Sequence, residues 1–143
     1  MPRLAPFGYS RHILTLGVPF TGVLNTTNQV TFMLSKTVPF ACELERVEIV
    51  TTVVGTGAGA TRTLNVRNGT ASGTIAGTAT ATLSNQGTLG VVTAGTVTTA
   101  AGANKFGSGD TMTVEFITAG ATVFSAGGFE LLLTFRDKNQ AAV

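Results

Sequence analysis

An all-β fold, an antiparallel β-sandwich of the jelly-roll kind behind an extended N-terminal arm, is what three features of this sequence predict. Apolar and polar residues alternate with period two in runs repeated along the chain, and clusters of glycine and asparagine separate the runs. No window carries apolar residues at three-and-four spacing with caps at its ends, as a helix would. Seven or eight short strands with one apolar face each must bury those faces against one another, and two packed sheets are the compact way to do it. Greek-key connections of the jelly-roll type suit that number of strands. Periodicity assigns faces and leaves strand order open.

The elements follow in order. Residues 1–25 hold three of the four prolines, Pro2, Pro6 and Pro19, without sustained alternation, and read as the arm; residues 26–143 read as the sandwich domain. In the first strand of the domain Val30, Phe32 and Leu34 face the core and Gln29, Thr31 and Met33 face away. In the next, Val47, Ile49 and Val53 oppose Arg46, Glu48 and Thr52, and the Gly55 to Ala60 stretch reads as a hairpin turn. Leu64 and Val66 continue the pattern, followed after Gly69 to Gly73 by Ile75, Ala79, Ala81 and Leu83 against Thr74, Thr78, Thr80 and Thr82. A less regular strand spans Leu89 to Thr99. The clearest runs come last: Met112, Val114 and Phe116, then Phe129, Leu131, Leu133 and Phe135. The intervening glycines allow the positive φ of tight turns.

Composition narrows the function. Nine bases against seven acids give a net charge of +2, too sparse a positive surface for a nucleic-acid binder, which must neutralise several phosphates. The charge is uneven: residues 1–42 carry Arg3, Arg11 and Lys36 and no acid, whereas residues 43–143 carry six bases and seven acids. A basic arm with Phe7, Tyr9 and Phe20 suits an acidic neighbour, although a loosely ordered terminus shares this composition. The apolar stretch Ile13 to Leu24 is broken by Gly17, Pro19 and Gly22 and is too short to span a bilayer. No secretory signal pattern is recognisable, so the chain is expected in the cytosol.

Chemistry has little to work with. One cysteine, Cys42, allows no internal disulfide and no multi-cysteine metal site, and His12 is the sole histidine. Cys42 reads as a small buried residue and His12 as a solvated or interface side chain. Asp110, in Gly-Ser-Gly-Asp-Thr, is placed to bond its own turn backbone, and Glu43 and Glu45 share one strand face at a solvent rim. Gly55 to Ala60 lacks the Gly-Lys-Ser/Thr and the helix of a phosphate loop. The polar strand faces are filled by threonine where lysine and glutamate usually guard a sheet, and only 11% of residues are charged against about 25% in typical soluble proteins. Threonine is also a good strand former, but rows of it suit a surface that a neighbour covers.

The runs "FACELERVEIVTTVVGTGAGATRTLNVRNGTASGTIAG", "NKFGSGDTMTVEF" and "TVFSAGGFELLLTFR", between Phe40 and Arg136, resemble small jelly-roll structural proteins of tailed-bacteriophage virions, especially capsid decoration (cement) proteins. The resemblance implies a protein that binds the outer surface of a capsid, assembled in the host cytoplasm, and stabilises contacts between capsomers. It implies the major capsid protein and its own copies, as a homotrimer, as partners, with no cofactor, no metal, no nucleic acid, no membrane, no small-molecule substrate and no enzymatic reaction. The arm residues Arg3, Phe7, Tyr9, Arg11 and Phe20 are the candidate capsid contacts. The alternative is a tail-fibre or head-fibre domain that binds a host receptor or glycan.

Overall fold

The computed structural model describes residues 11–18, 29–56, 60–70, 73–82, 88–120 and 126–137. They form ten strands: β1 (Arg11–Val18), β2 (Gln29–Thr37), β3 (Cys42–Thr56), β4 (Ala60–Asn68), β5 (Thr74–Thr82), β6 (Val92–Ala94), β7 (Thr96–Val97), β8 (Lys105–Phe106), β9 (Thr111–Gly120) and β10 (Ala126–Asp137). Among the described residues the single helical element is a 3₁₀ turn at Ala100–Gly102.

One sheet runs β1-β10-β3-β6, with β8 also paired to β3; the other runs β2-β9-β4-β5-β7. Every ladder is antiparallel, and the pairs nest: β1 with β10, β2 with β9, β3 with β6, β4 with β5. That nesting is one long antiparallel hairpin rolled into two facing sheets, which is the jelly roll. The alternating runs explain the rest: each strand buries one face, and two such faces must meet.

Leu44, Val47 and Ile49 of β3 and Phe129, Leu131, Leu133 and Phe135 of β10 pack against Leu64 and Val66 of β4, Ala76 and Ala79 of β5, and Met112 and Val114 of β9. Phe106 closes one end, its ring edge-on to Phe135 with centroids 6.2 Å apart. The small side chains of β5 set how near the sheets come. At Gly77 a β-carbon would lie 2.7 Å from Val47 Cγ2, so the strand reads Ala-Gly-Thr-Ala and not Val-Ile.

Several expectations are corrected. The arm assigned to residues 1–25 is narrower, because Arg11–Val18 pairs along its whole length with β10; residues 1–10 and 19–25 lie outside the described residues. Gly55 to Ala60 does not turn a hairpin, since β3 and β4 belong to opposite sheets and the chain crosses between them. A register shift between Val66 and Arg67 leaves Ala76 as the extra residue of β5. The strand's parity therefore flips, putting Ala76 in the core and Ile75 beside Arg67. Val53, a core position by alternation, is 53% exposed while Thr51 is buried: the register with β10 shifts between Val53 and Thr51, leaving Thr52 as the extra residue, and the bulge resets the strand's parity.

The irregular strand from Leu89 to Thr99 is two short strands in different sheets. β6 pairs with β3, Gly95 makes the corner, and β7 pairs with β5, so one side of the sandwich is closed by a single strand stepping between sheets. A β-carbon at Gly95 would lie 2.3 Å from the carbonyl oxygen of Thr78 and 2.7 Å from Ala79 Cβ. Gly95→Ala is therefore expected to cost about 2–3 kcal/mol or more in urea unfolding, because backbone cannot yield. Gly90→Ala, at φ +74° in open space, is expected to cost only about 1 kcal/mol.

Candidate functional site

The corner at Gly95 closes one side of the sandwich, and β1 and β2 form the opposite side, each with one unpaired edge among the described residues. Between them opens an apolar groove of about 370 Å³; among the described residues Ile13, Val38, Phe40, Cys42, Met112 and Phe135 line it, and Lys36 is the one charged side chain of that lining. The short β2–β3 connection forms its wall. Val38 donates its amide to Asp110 O (2.8 Å) and accepts from Gly109 N (2.8 Å), and Ser108 Oγ donates to Pro39 O (3.1 Å). The neighbouring turn holds itself: Gly107 N donates to Asp110 Oδ2 at 2.6 Å, the turn-capping role that the sequence assigns to this aspartate.

Cys42 lies in this wall, 3% exposed. Burial, and secondarily the charge of Asp137, push its thiol up to about 11 from an ordinary 9.0. A thiol with that value is inert at neutral pH. Because the folded value is the higher, this group's contribution to stability is complete below about pH 9 and is lost as pH rises toward 11. Urea midpoints of the native protein and Cys42→Ala, compared from pH 8 to 11, should show a steeper alkaline loss in the native protein.

The outer face of the β2-β9-β4-β5 sheet is polar yet partly buried. Glu115 Oε1 accepts from Arg67 Nε (2.6 Å) and Asn65 Nδ2 (3.0 Å), and Arg67 also donates to Gly73 O (2.9 Å). Thr78 Oγ1 donates to Asn65 Oδ1 (2.8 Å). The Glu115 side chain is 4% exposed, so this pair is desolvated as well as matched. Around it run hydroxyl pairs across strands, Thr63 with Thr80 (3.2 Å) and Ser35 with Thr113 (2.8 Å); Thr113 Oγ1 also reaches Gly69 O (2.7 Å). Glu115→Ala would strand Arg67 and Asn65 and is expected to lower stability by about 3 kcal/mol, whereas Glu115→Ala with Arg67→Met should recover part of that loss, as urea denaturation of the two variants would show.

On the outer face of the other sheet Arg136 lies between Glu43 (2.8 Å) and Glu45 (3.7 Å), and Asn104 Nδ2 donates to Glu43 Oε1 (3.2 Å) and Leu44 O (3.1 Å). Glu43 and Glu45 do share a face, as the sequence indicates, but they clasp an arginine instead of standing free at a rim. Asn68, at the end of β4, spends its amide on Lys105 O (2.6 Å) and Ala103 O (3.3 Å). Arg62 is 1% exposed between the sheets, 5.4 Å over the Phe129 ring, and burial lowers its pKa to about 10.

Of the sequence-predicted contact residues, Arg11 opens β1 with its backbone opposite Arg136, while Arg3, Phe7, Tyr9 and Phe20 lie outside the described residues. Among the described residues no three His, Cys, Asp or Glu side chains gather as metal ligands. Local periodicity does not reveal the groove, because its lining comes from β1, the β2–β3 connection, β9 and β10. The Glu115 cluster left a faint trace, a lone glutamate and a lone arginine at polar positions of strands whose adjacency periodicity does not reveal.

No protein-family model matches this sequence. No curated protein matches it either. Among solved structures the chain is similar to the VP2 subviral particle of infectious bursal disease virus, with a TM-score of 0.41 and 11% identity, over 89% of this chain and 37% of that one. A likeness of that size carries no argument about function, and this chain spans little more than a third of that protein.

Proposed function

We propose that this protein is a structural component of a virion: a decoration protein that binds the outer surface of a bacteriophage capsid, contacts the major capsid protein, and acts as a homotrimer. It works by surface contact, with no reaction and no cofactor. The reading rests on the resemblance of residues 40–136 to such proteins, and the observation that carries it is the outer face of the β2-β9-β4-β5 sheet. Threonine and serine hydroxyls there pair with one another across strands, as Thr63 does with Thr80 and Ser35 with Thr113. A face whose polar groups already satisfy each other loses little on being covered, whereas a face of lysines and glutamates must shed tightly held water. A protein that binds only the assembled shell stabilises it by mass action.

Cosedimentation with purified expanded capsids, together with the solution mass of the free protein, tests this. Saturable binding by a trimer is the expected result; a monomer that ignores shells and binds immobilised glycans would establish the fibre-domain reading instead. The arm is tested by deleting residues 2–9, which spares β1; a deletion reaching residue 24 would remove the strand that covers one edge of β10. Loss of shell binding in a variant that keeps its far-UV β-sheet spectrum is expected, and unchanged binding would remove the arm from the contact.

A further inference from the structure

We infer that Asn68 is a spontaneous modification site that folding closes: in the unfolded chain its side-chain amide is lost to attack by the Gly69 nitrogen, and in the folded chain it is kept. Asn68-Gly69 is the sole Asn-Gly step in the sequence. A glycine at the attacking position has no β-carbon to block the approach and reaches the required backbone angles freely. In the reaction the Gly69 nitrogen bonds to Asn68 Cγ, the Cγ–Nδ2 bond breaks, and ammonia leaves with the Gly69 proton. Solvent water then opens the cyclic imide at one or the other of its carbonyl carbons, leaving aspartate or its β-linked isomer. Nothing is oxidised or reduced.

The folded chain restrains both reacting groups. Gly69 N donates to Thr111 O at 2.7 Å, which ties the attacking nitrogen to the start of β9. Asn68 Nδ2, the leaving nitrogen, donates to Lys105 O (2.6 Å) and Ala103 O (3.3 Å). The backbone is fixed as well, because Asn68 sits between Met112 of β9 and Thr74 of β5 in two antiparallel ladders. Attack therefore needs the end of β4 to open locally.

The product does not fit where the amide fits. Ala103 O and Lys105 O are acceptors, and a carboxylate has no proton to offer them. The β-linked isomer adds a backbone carbon at the point where both ladders run. The segment that owns these carbonyls carries Phe106 into the core against Phe135, and Leu44 N donates to Asn104 O (2.9 Å) on its other side. Modification thus loosens the end of the sandwich that Phe106 closes. The coupling runs one way: folding protects the amide, and loss of the amide opposes folding.

Full-length protein held in mildly alkaline buffer, folded in one sample and unfolded by guanidinium chloride in another, is digested over time for peptide mass spectrometry. The unfolded chain should convert Asn68 to acid ahead of every other asparagine. The folded chain should do so at least about a hundredfold more slowly, at the rate set by the open fraction of a paired strand end. Equal rates in the two samples, or an unfolded chain that loses other asparagine amides first, would overturn the inference. Asn68→Asp supplies one product directly. At neutral pH it should unfold at lower urea than both the native protein and Asn68→Ala, and its gap to Asn68→Ala should close in acid, where a protonated carboxyl donates again. An Asn68→Asp variant as stable as the native protein, or a gap indifferent to pH, would overturn the coupling of modification to folding. These measurements use the free protein, so their outcome is separate from whether the protein binds a shell.

Discussion

The pairing of β3 with β10 is what the rest of this structure hangs on. These are the two longest strands, they run antiparallel from Cys42 opposite Asp137 to Thr56 opposite Ala126, and they are the middle of their sheet. Their inward side chains, Leu44, Val47 and Ile49 with Phe129, Leu131, Leu133 and Phe135, make one continuous apolar floor. Each flanking strand takes its register from this pair: β1 from β10, and β6 and β8 from β3. Because side chains alternate with period two, a one-residue slip here would turn the floor outward, and that cost is what specifies the register.

Above that floor the second sheet is selected for closeness. Ala76, Gly77 and Ala79 of β5 are small where Val47 and Leu44 press up from β3, and Gly95 lets the chain step from one sheet to the other against the backbone of Thr78. The result is a sandwich closed on one side by backbone and open on the other at a groove. The two sides therefore differ: at Gly95 the closed side has no room for an added group, and the open side offers apolar wall and, among the described residues, strand edges without a partner strand, the feature that sheet proteins otherwise cover or charge.

Polar groups on the outer faces are organised in two ways. Two clusters of charges are matched and partly buried, Glu115 with Arg67 and Asn65, and Arg136 with Glu43 and Glu45. Elsewhere threonine and serine hydroxyls pair across strands. Both arrangements settle these polar groups within the molecule, so covering them releases little bound water, which is the physical basis of the proposed role in a larger assembly.

Period-two alternation in the sequence was enough to determine an all-β sandwich, the inward faces of β9 and β10 and the shared face of Glu43 and Glu45, and the Gly-Ser-Gly-Asp-Thr run the turn role of Asp110, because each depends on neighbours a few residues apart. The basic and aromatic make-up of the first residues was equally plain, though its strand β1 was hidden among glycines and prolines. What only the tertiary structure decided are the things that join distant segments: the order of strands, the bulge that swaps Ile75 for Ala76, the burial of Arg62 and Glu115, and the groove at the open edge. A strand's sequence states which face is apolar but not which strand lies beside it. Every feature of that second group exists because of a neighbour that local periodicity does not encode.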